Sequence, residues 1–331
     1  MKKELDFTPA TTALEALLYP VSMHPIVATF DERNEIKHSK QTHSHLAIVN
    51  ETTNEIVSVV SKNYKILTNE DALNLAKGTF AKIFTSVSAD HFVPFKVIAP
   101  KSGASCHIDL IHKDVKLSET KWTQDTWYPF LRMTNSYNRT KAFTLELGFV
   151  RQLCSNGVIF KKSTIEIKYS HDKLNIEKIG TDFSKLKKLE NEFVAHLIKM
   201  RELKLKTNNL VGMVCKALNL RFDVFSKNRK IKEREIERFN RTKSIINRIA
   251  AGYIKEMDYN CYAIFNILTD FVSHQDQYKI IRGYSINPNA YYRRIGEWSQ
   301  DILIKAKKEN FNLDAYLKEF TFETQLSLFD N

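Results

Sequence analysis

One short segment of the sequence combines side chains that could support covalent catalysis. Arg151, Cys154 and Asn156 lie within six residues of each other, and a reactive thiolate at Cys154 would need a nearby cation such as Arg151. No histidine stands close to Cys154 in sequence to act as its base. Asn156-Gly157 is also a dipeptide typical of tight hairpin turns. We therefore interpret the segment as a turn between two short strands and predict no catalytic residue, so an enzyme is the less favoured class.

Two other groups of residues could ligate a metal ion. His43 and His45 would point to the same side of a strand, and Asp109 and Asp114 bracket His112. Neither group has a further ligand at a recognisable spacing. We interpret the histidines as part of a polar, solvent-facing strand and predict no metal site. The sequence contains neither GxGxxG nor GxxxxGK[ST], so nucleotide hydrolysis and a bound cofactor are not predicted either.

Positive charge is concentrated in one part of the chain. The net charge is +12, and residues 161–331 hold 32 Lys and Arg against 22 Asp and Glu. Within that half, Lys199–Arg248 alone holds 15 basic and 5 acidic residues. Such a segment attracts polyanions and releases counterions from phosphates, although a solvated helix with internal ion pairs is the alternative. The residues predicted to contact DNA here are Lys204, Lys206, Lys227, Arg229, Lys230, Arg234, Arg238 and Arg241.

A second predicted contact pairs aromatic and cationic residues. Tyr291 and Tyr292 are followed directly by Arg293 and Arg294. Stacking of a base on Tyr291 or Tyr292, with phosphates on Arg293 and Arg294, is typical of proteins that bind single strands. The alternative is a helix that begins after Pro288 and packs one of the two rings inward.

The hydrophobic pattern changes from strand-like to helix-like along the chain. Short β-rich runs, including a hairpin around the polar turn 50–55, fill the first half. Apolar residues recur at three- and four-residue spacing after about Asp182. This order predicts an α+β fold, with a strand-rich N-terminal half packed on a helical C-terminal half. The predicted regions are a β-rich domain at residues 1–182, a helical, basic domain at 183–320 and a flexible tail at 321–331.

Bulk properties indicate the compartment. The N-terminus lacks the apolar run of a signal peptide, and no stretch approaches the roughly 20 apolar residues that cross a bilayer. The four cysteines are scattered without a CxxC pair, which suits a reducing environment. We therefore predict a cytoplasmic protein without a membrane partner.

The C-terminal segment carries the most specific motif. Gln325, Leu326, Ser327, Leu328 and Phe329 are followed by only two residues. This peptide resembles, residue for residue, the peptide with which bacterial polymerases and repair proteins bind the sliding clamp. The resemblance implies that the clamp is a partner, with Leu328 and Phe329 filling an apolar pocket and Gln325 bonding at its rim. The alternative is a last amphipathic turn that packs on the body.

Four separated segments between about residues 45 and 275 resemble a phage- and plasmid-type family, domain of unknown function 932. The family often continues the second segment with His-Asp-Gly, whereas this chain has Tyr137-Asn138-Arg139, so no role of that His-Asp pair is transferred. The resemblance implies an origin in a mobile element and supplies no established chemistry. The segments that carry it are Tyr64–Ala72, Arg132–Ser136, Arg151–Gly157 and Tyr262–Phe271.

Three functions follow as hypotheses. The favoured one is a DNA-binding protein, recruited to the clamp, that acts on single-stranded DNA in recombination or replication. The second is a host-takeover or anti-defence factor that occupies the clamp. The third is a clamp-tethered nuclease. The sequence does not indicate an oligomeric state.

Overall fold

In the computed structural model, two antiparallel sheets precede a set of packed helices. The structure describes residues 10–32, 35–83, 88–112, 114–117, 126–152, 156–159, 166–169 and 185–320. After α1 (Thr11–Glu15), the first sheet has the order β1 (Val21–Glu32), β2 (Glu35–Asn50) and β3 (Glu55–Ser61). The predicted hairpin around residues 50–55 is confirmed, because β2 and β3 pair from His45↔Ser61 to Asn50↔Glu55.

The second sheet forms the centre of the molecule. Its strands β4 (Val93–Ile98), β5 (Ser105–Ile111), β6 (Trp127–Ser136), β7 (Phe143–Arg151) and β8 (Asn156–Val158) pair in chain order, and β9 (Glu166–Tyr169) also pairs with β7. Every described residue of β5 and β6 is buried. Both faces of this sheet are therefore covered, and alternate residues of one strand belong to two different interiors.

One face of the second sheet packs on α2 (Asn69–Ile83). Glu70 and Asp71 stand in the first turn of α2, where carboxylates interact favourably with the helix dipole. Buried side chains of α2, such as Leu73 and Phe80, join Ile108 and Met133 of the sheet in one hydrophobic cluster. The odd-numbered residues of β5 and the even-numbered residues of β6 consequently face the other way, toward the helical half.

The helical half covers the opposite face. Its helices are α3 (Lys185–Glu202), α4 (Leu210–Leu218), α5 (Arg229–Met257), α6 (Cys261–Ser273), α7 (Gln275–Tyr278), α8 (Pro288–Lys305) and α9 (Leu313–Leu317). The side chains of Asn209, Asn228, Asn260 and Asn312 cap four of them by accepting a backbone N–H. Phe149 of β7 stacks on Phe193 of α3 with centroids 4.2 Å apart, so sheet and helices share one core. The predicted α+β fold is confirmed.

The predicted turn at Asn156-Gly157 is wrong. Both residues belong to β8, where Gly157 pairs with Val150 and Asn156 with Arg151. Glycine is required at residue 157 by a close approach, since a Cβ there would lie 2.9 Å from Tyr292 Cε1. Gly157 is therefore explained by the close packing of β8 against α8 and not by a turn. Among the described helices, none combines the length and apolar character needed to span a bilayer.

Candidate nucleic-acid interface

A stripe of cations runs along the outer side of α5. Lys230, Arg234, Arg241, Arg248 and Lys255 are all exposed. At about 100° per residue they fall within an arc of about 60°, and they extend over about 37 Å of the helix. Glu237 is the one carboxylate within this arc in α5. We call these five residues the basic stripe.

The same helix explains why the stripe faces outward. The buried residues of α5 include Glu235, Phe239, Ile246 and Tyr253, which lie on the side of the helix opposite the stripe. Packing of that apolar face against α4 and α6 fixes the rotation of α5 about its axis. The stripe therefore projects from a helix held by the core, which orders its cations at the surface.

The other predicted cations of this segment have different surroundings. Lys227 is exposed just before α5, and Arg229 is exposed but paired with Glu233 at 2.8 Å. Lys204 and Lys206 are exposed in the loop after α3. That loop lies near the far end of α5, because the Tyr259 hydroxyl donates to the Thr207 carbonyl at 2.9 Å. The predicted cations at the surface thus lie along α5 or near its ends.

Arg238 was predicted to contact DNA, but its charge is already paired. Its Nη1 lies 2.7 Å from Glu235 Oε2, and its guanidinium stands 4.5 Å from the centre of the Phe222 ring. Glu235 is buried and also binds Arg282. A phosphate at Arg238 would have to share this guanidinium with Glu235. Arg238 is therefore not a free surface cation, and its contact with DNA stays a prediction.

On α8, the predicted stacking on Tyr292 is wrong, whereas stacking on the partly exposed Tyr291 stays a prediction. Tyr292 is 1% exposed, so no base can reach its ring. Arg293 pairs with the buried Glu146, and Arg294 donates to the Leu218 carbonyl at 2.9 Å. The alternative is confirmed, since Pro288 occupies the first turn of α8 and one ring of the tyrosine pair packs inward.

A different exposed aromatic residue lies close to the cations in sequence. Phe225 is 46% exposed and lies in the loop between α4 and α5, four residues after Arg221 and two before Lys227. Exposed rings near cations are typical of proteins on which unpaired bases stack. Sequence reasoning missed Phe225, and it missed Arg248 and Lys255 as members of the stripe. Their seven-residue spacing from Arg241 was the available signal.

A cationic recess of about 410 Å³ lies at the start of α5. Arg221, Arg234, Arg238 and Arg282 line it together with the carboxylates of Asp223 and Glu235. Glu235 binds Arg238 at 2.7 Å and Arg282 at 2.5 Å. We call this feature the arginine recess. Since Arg234 belongs to both, the recess continues the basic stripe at its N-terminal end.

A network of buried polar residues occupies the interface between the large sheet and α8. Arg132 Nε and Nη2 donate to the two carboxylate oxygens of Asp109 at 2.5 and 2.6 Å. Arg132 also reaches Asn289 at 3.2 Å, and Asn289 and Arg293 both bind Glu146. Each buried charge therefore has a partner of opposite sign, which is the condition under which ions are tolerated inside a protein.

The Tyr292 hydroxyl ends this network in a cationic environment. It lies 3.2 Å from Lys96 Nζ and 3.4 Å from both Ser273 Oγ and the Tyr284 hydroxyl. The guanidinium of Arg132 stands 4.1 Å from the centre of the Tyr292 ring. Burial by itself raises the pKa of this phenol, but Lys96 and Arg132 outweigh burial and lower the pKa to about 8. The pKa of Tyr284 is raised well above its usual value by burial and by Tyr292.

We expect one of the thirteen tyrosines to ionise near pH 8. Because its pKa in the folded chain lies below the unfolded value of about 10, ionisation of Tyr292 stabilises the fold increasingly between about pH 8 and pH 10. This contribution is lost as the pH falls through about 8. The phenolate absorbance in the near ultraviolet measures the transition directly. Tyr292→Phe should remove it and Tyr316→Phe should keep it, whereas no early transition in the wild type would contradict the assignment.

The residues considered for catalysis or metal binding do not converge. Cys106, Cys215 and Cys261 are free and buried, and burial raises the pKa of each thiol to about 12, so none is a thiolate at neutral pH. Cys154 lies outside the described residues. Among the residues that the structure describes, no group of three or more His, Cys, Asp or Glu side chains could hold a metal ion.

The individual metal candidates are divided between two places. Asp109 is held by Arg132 inside the network. His112, directly after β5, contacts the Phe92 ring with centroids 5.2 Å apart. Its Nδ1 accepts from the Asp114 backbone N–H at 3.1 Å and lies 3.9 Å from Asp114 Oδ2. His43 and His45 are exposed on β2, as the interpretation of a polar, solvent-facing strand predicts.

The predicted clamp-binding residues, Gln325 to Phe329, lie outside the described residues. The described chain ends on the body at Phe320, which is 3% exposed. The guanidinium of Arg221 stands 4.4 Å from the centre of the Phe320 ring, and Arg221 also lines the arginine recess. The last described residue therefore lies beside Arg221, at the recess near the start of α5.

The comparison with known proteins covers most of this architecture. The family described as domain of unknown function (DUF932) matches residues 56–295, from β3 to the middle of α8, and the match includes the whole of α5. No curated protein and no solved structure matches the chain. Since the match spans more than half of the 331 residues, the chain belongs to the DUF932 family.

Proposed function

We propose that the protein binds nucleic acid along the basic stripe, with single-stranded DNA as its preferred ligand. The single observation that carries the proposal is the basic stripe itself. Five exposed cations lie along about 37 Å of a packed helix, and one carboxylate lies in the same arc. A solvated helix stabilised by ion pairs would instead alternate the two signs along its surface. The preference for single strands is supported by the exposed ring of Phe225 near the start of the stripe.

The second part of the proposal is recruitment to the bacterial sliding clamp. It is supported by the sequence Gln325-Leu326-Ser327-Leu328-Phe329 and by the anchoring of Phe320 beside the arginine recess. A tail that starts there would hold the clamp, which encircles DNA, close to the basic stripe. Such a protein would act in the cytoplasm, in replication or recombination of a phage or plasmid.

We expect DNA affinity to fall steeply with salt. Five phosphate contacts predict a slope of log affinity against log salt of about −3.5 for single strands, so affinity should drop about 100-fold between 50 and 200 mM salt. Fluorescence anisotropy of the full-length protein with a labelled oligonucleotide measures the slope. A slope shallower than about −1 would mean that at most one phosphate is neutralised, and it would overturn the proposed interface.

A further inference from the structure

The side chains of the arginine recess are held in position by more hydrogen bonds than those of an open basic surface. Glu235 is 4% exposed and accepts from guanidinium groups of two separate elements, Arg238 on α5 and Arg282 in the loop before α8. Arg238 also donates through Nε to the Ile280 carbonyl at 3.3 Å. Glu235 thus fixes the position of both arginines, while Nη2 of Arg238 has no part in these bonds. Preorganised guanidinium groups recognise phosphate oxygens with two parallel hydrogen bonds.

The charge of the recess exceeds what its own carboxylates neutralise. Four guanidinium groups face Asp223 and Glu235, which leaves two positive charges in excess. The further pair of Arg221 with Glu319 is long, at 3.4 Å, and both side chains are mostly exposed, so it neutralises little. A phosphodiester within a DNA strand carries a single negative charge. A phosphate monoester carries about −1.5 to −2 at pH 7 and matches the excess better.

We propose that the arginine recess binds a terminal phosphate monoester of a DNA strand. This inference rests on the proposed function, because the recess shares Arg234 with the basic stripe and the strand would lead from one to the other. With the end phosphate held among Arg234, Arg238 and Arg282, the following nucleotides would lie along α5. The exposed ring of Phe225 in the adjoining loop could stack on a base of that strand.

The test compares otherwise identical single-stranded oligonucleotides that carry a 5′-phosphate, a 3′-phosphate or only hydroxyl ends. We expect the full-length protein to bind at least one phosphorylated oligonucleotide about tenfold more tightly than the hydroxyl-ended one. The preference should shrink as the pH falls from 7.5 to 5.5, because the second pKa of a phosphate monoester is about 6. A nucleoside monophosphate should compete for the phosphorylated oligonucleotide and weaken this preference.

Variants locate the preference. Arg282→Gln should reduce the affinity ratio between phosphorylated and hydroxyl-ended DNA to less than twofold. Lys279→Gln, an exposed cation in the same loop but outside the recess, should leave the ratio unchanged. If Arg282→Gln fails to fold, Arg234→Gln serves instead, because Arg234 is exposed on the first turns of α5. It should weaken binding of both oligonucleotides and lower their ratio.

The outcomes separate this inference from the proposed function. Equal affinity for all three oligonucleotides, with steep salt dependence, would overturn the end-phosphate site and retain the stripe. Failure of every oligonucleotide to bind would overturn both. A preference that survives in Arg282→Gln and in Arg234→Gln would place the phosphate elsewhere, and it would also overturn the assignment to the recess.

Discussion

Reversing the charge of Lys230, Arg234 and Arg241 together is expected to lower the affinity for single-stranded DNA by more than about 100-fold in 0.1 M salt. Each phosphate contact released from a single strand costs about fivefold at this salt concentration, and each glutamate adds repulsion. The three side chains are exposed on one side of α5. The variant should therefore melt close to the wild-type temperature, because surface substitutions outside special features change stability little.

A matched control removes the same charge from another surface. Lys62→Glu, Lys65→Glu and Lys101→Glu change three exposed lysines in the N-terminal half. Both triple variants shift the net charge from +12 to +6, so long-range attraction falls comparably. If both lose affinity equally, binding depends on net charge alone and the stripe is not an interface. A large loss in the α5 variant alone, together with a shallower salt slope, supports it.

Local periodicity predicted the helices of this protein well. The helical spacing expected after about Asp182 corresponds to α3, which begins at Lys185, and to the helices that follow it, including α5. Such helices can be predicted from the sequence because residues at three- and four-residue spacing share a face. The same geometry allows the basic stripe to be predicted from the spacing of its cations. The charge was counted over fifty residues, and the cations were not assigned to faces of the helix. The count therefore did not distinguish Arg248 and Lys255, which are exposed, from Arg238, which faces inward.

The errors arose where distant parts of the chain decide the outcome. Tyr291 and Tyr292 are adjacent, and nothing in their sequence says which ring is buried. Tyr292 turns inward because Gly157 leaves space for its ring and Lys96 and Arg132 meet it there. These partners stand more than 130 residues away in sequence. Pairings over such separations are outside the reach of local patterns.

The segments that resemble the family are largely interior. Arg132 and Arg151 are both 0% exposed; Arg132 binds Asp109 and Arg151 binds Glu256 at 3.3 Å. In the Arg132–Asp109 pair both side chains are buried, and removing one of them leaves an unpaired charge, which typically costs about 3–5 kcal/mol. These arginines therefore act in holding the sheet to the helices. The family resemblance supports the fold, while the proposed interface depends on exposed residues between those segments.

Replacing both Leu328 and Phe329 with Ala is expected to abolish detectable binding to purified bacterial sliding clamp. Apolar side chains that enter a pocket carry most of the binding energy of a short peptide. Burying each of the two contributes roughly 1.5–3 kcal/mol, so their loss should weaken binding by about 100-fold or more. Gln325 should set orientation, because its amide can both donate and accept at the rim of the pocket.

Two controls separate a tether from a structural element. Ser327→Ala changes a position at which the clamp peptide also takes Asp, so it should bind the clamp nearly as well as the wild type. A synthetic peptide of residues 321–331 should compete with the protein for the clamp.

DNA binding by the double alanine variant should be unchanged, since the basic stripe and the arginine recess contain none of the altered residues. Its melting temperature should also be unchanged, because Phe320 is packed in the core with 3% of its surface exposed and both altered residues follow it in the chain. A variant that melts several degrees earlier, or a peptide that fails to compete, would mean that Leu328 and Phe329 pack on the body instead.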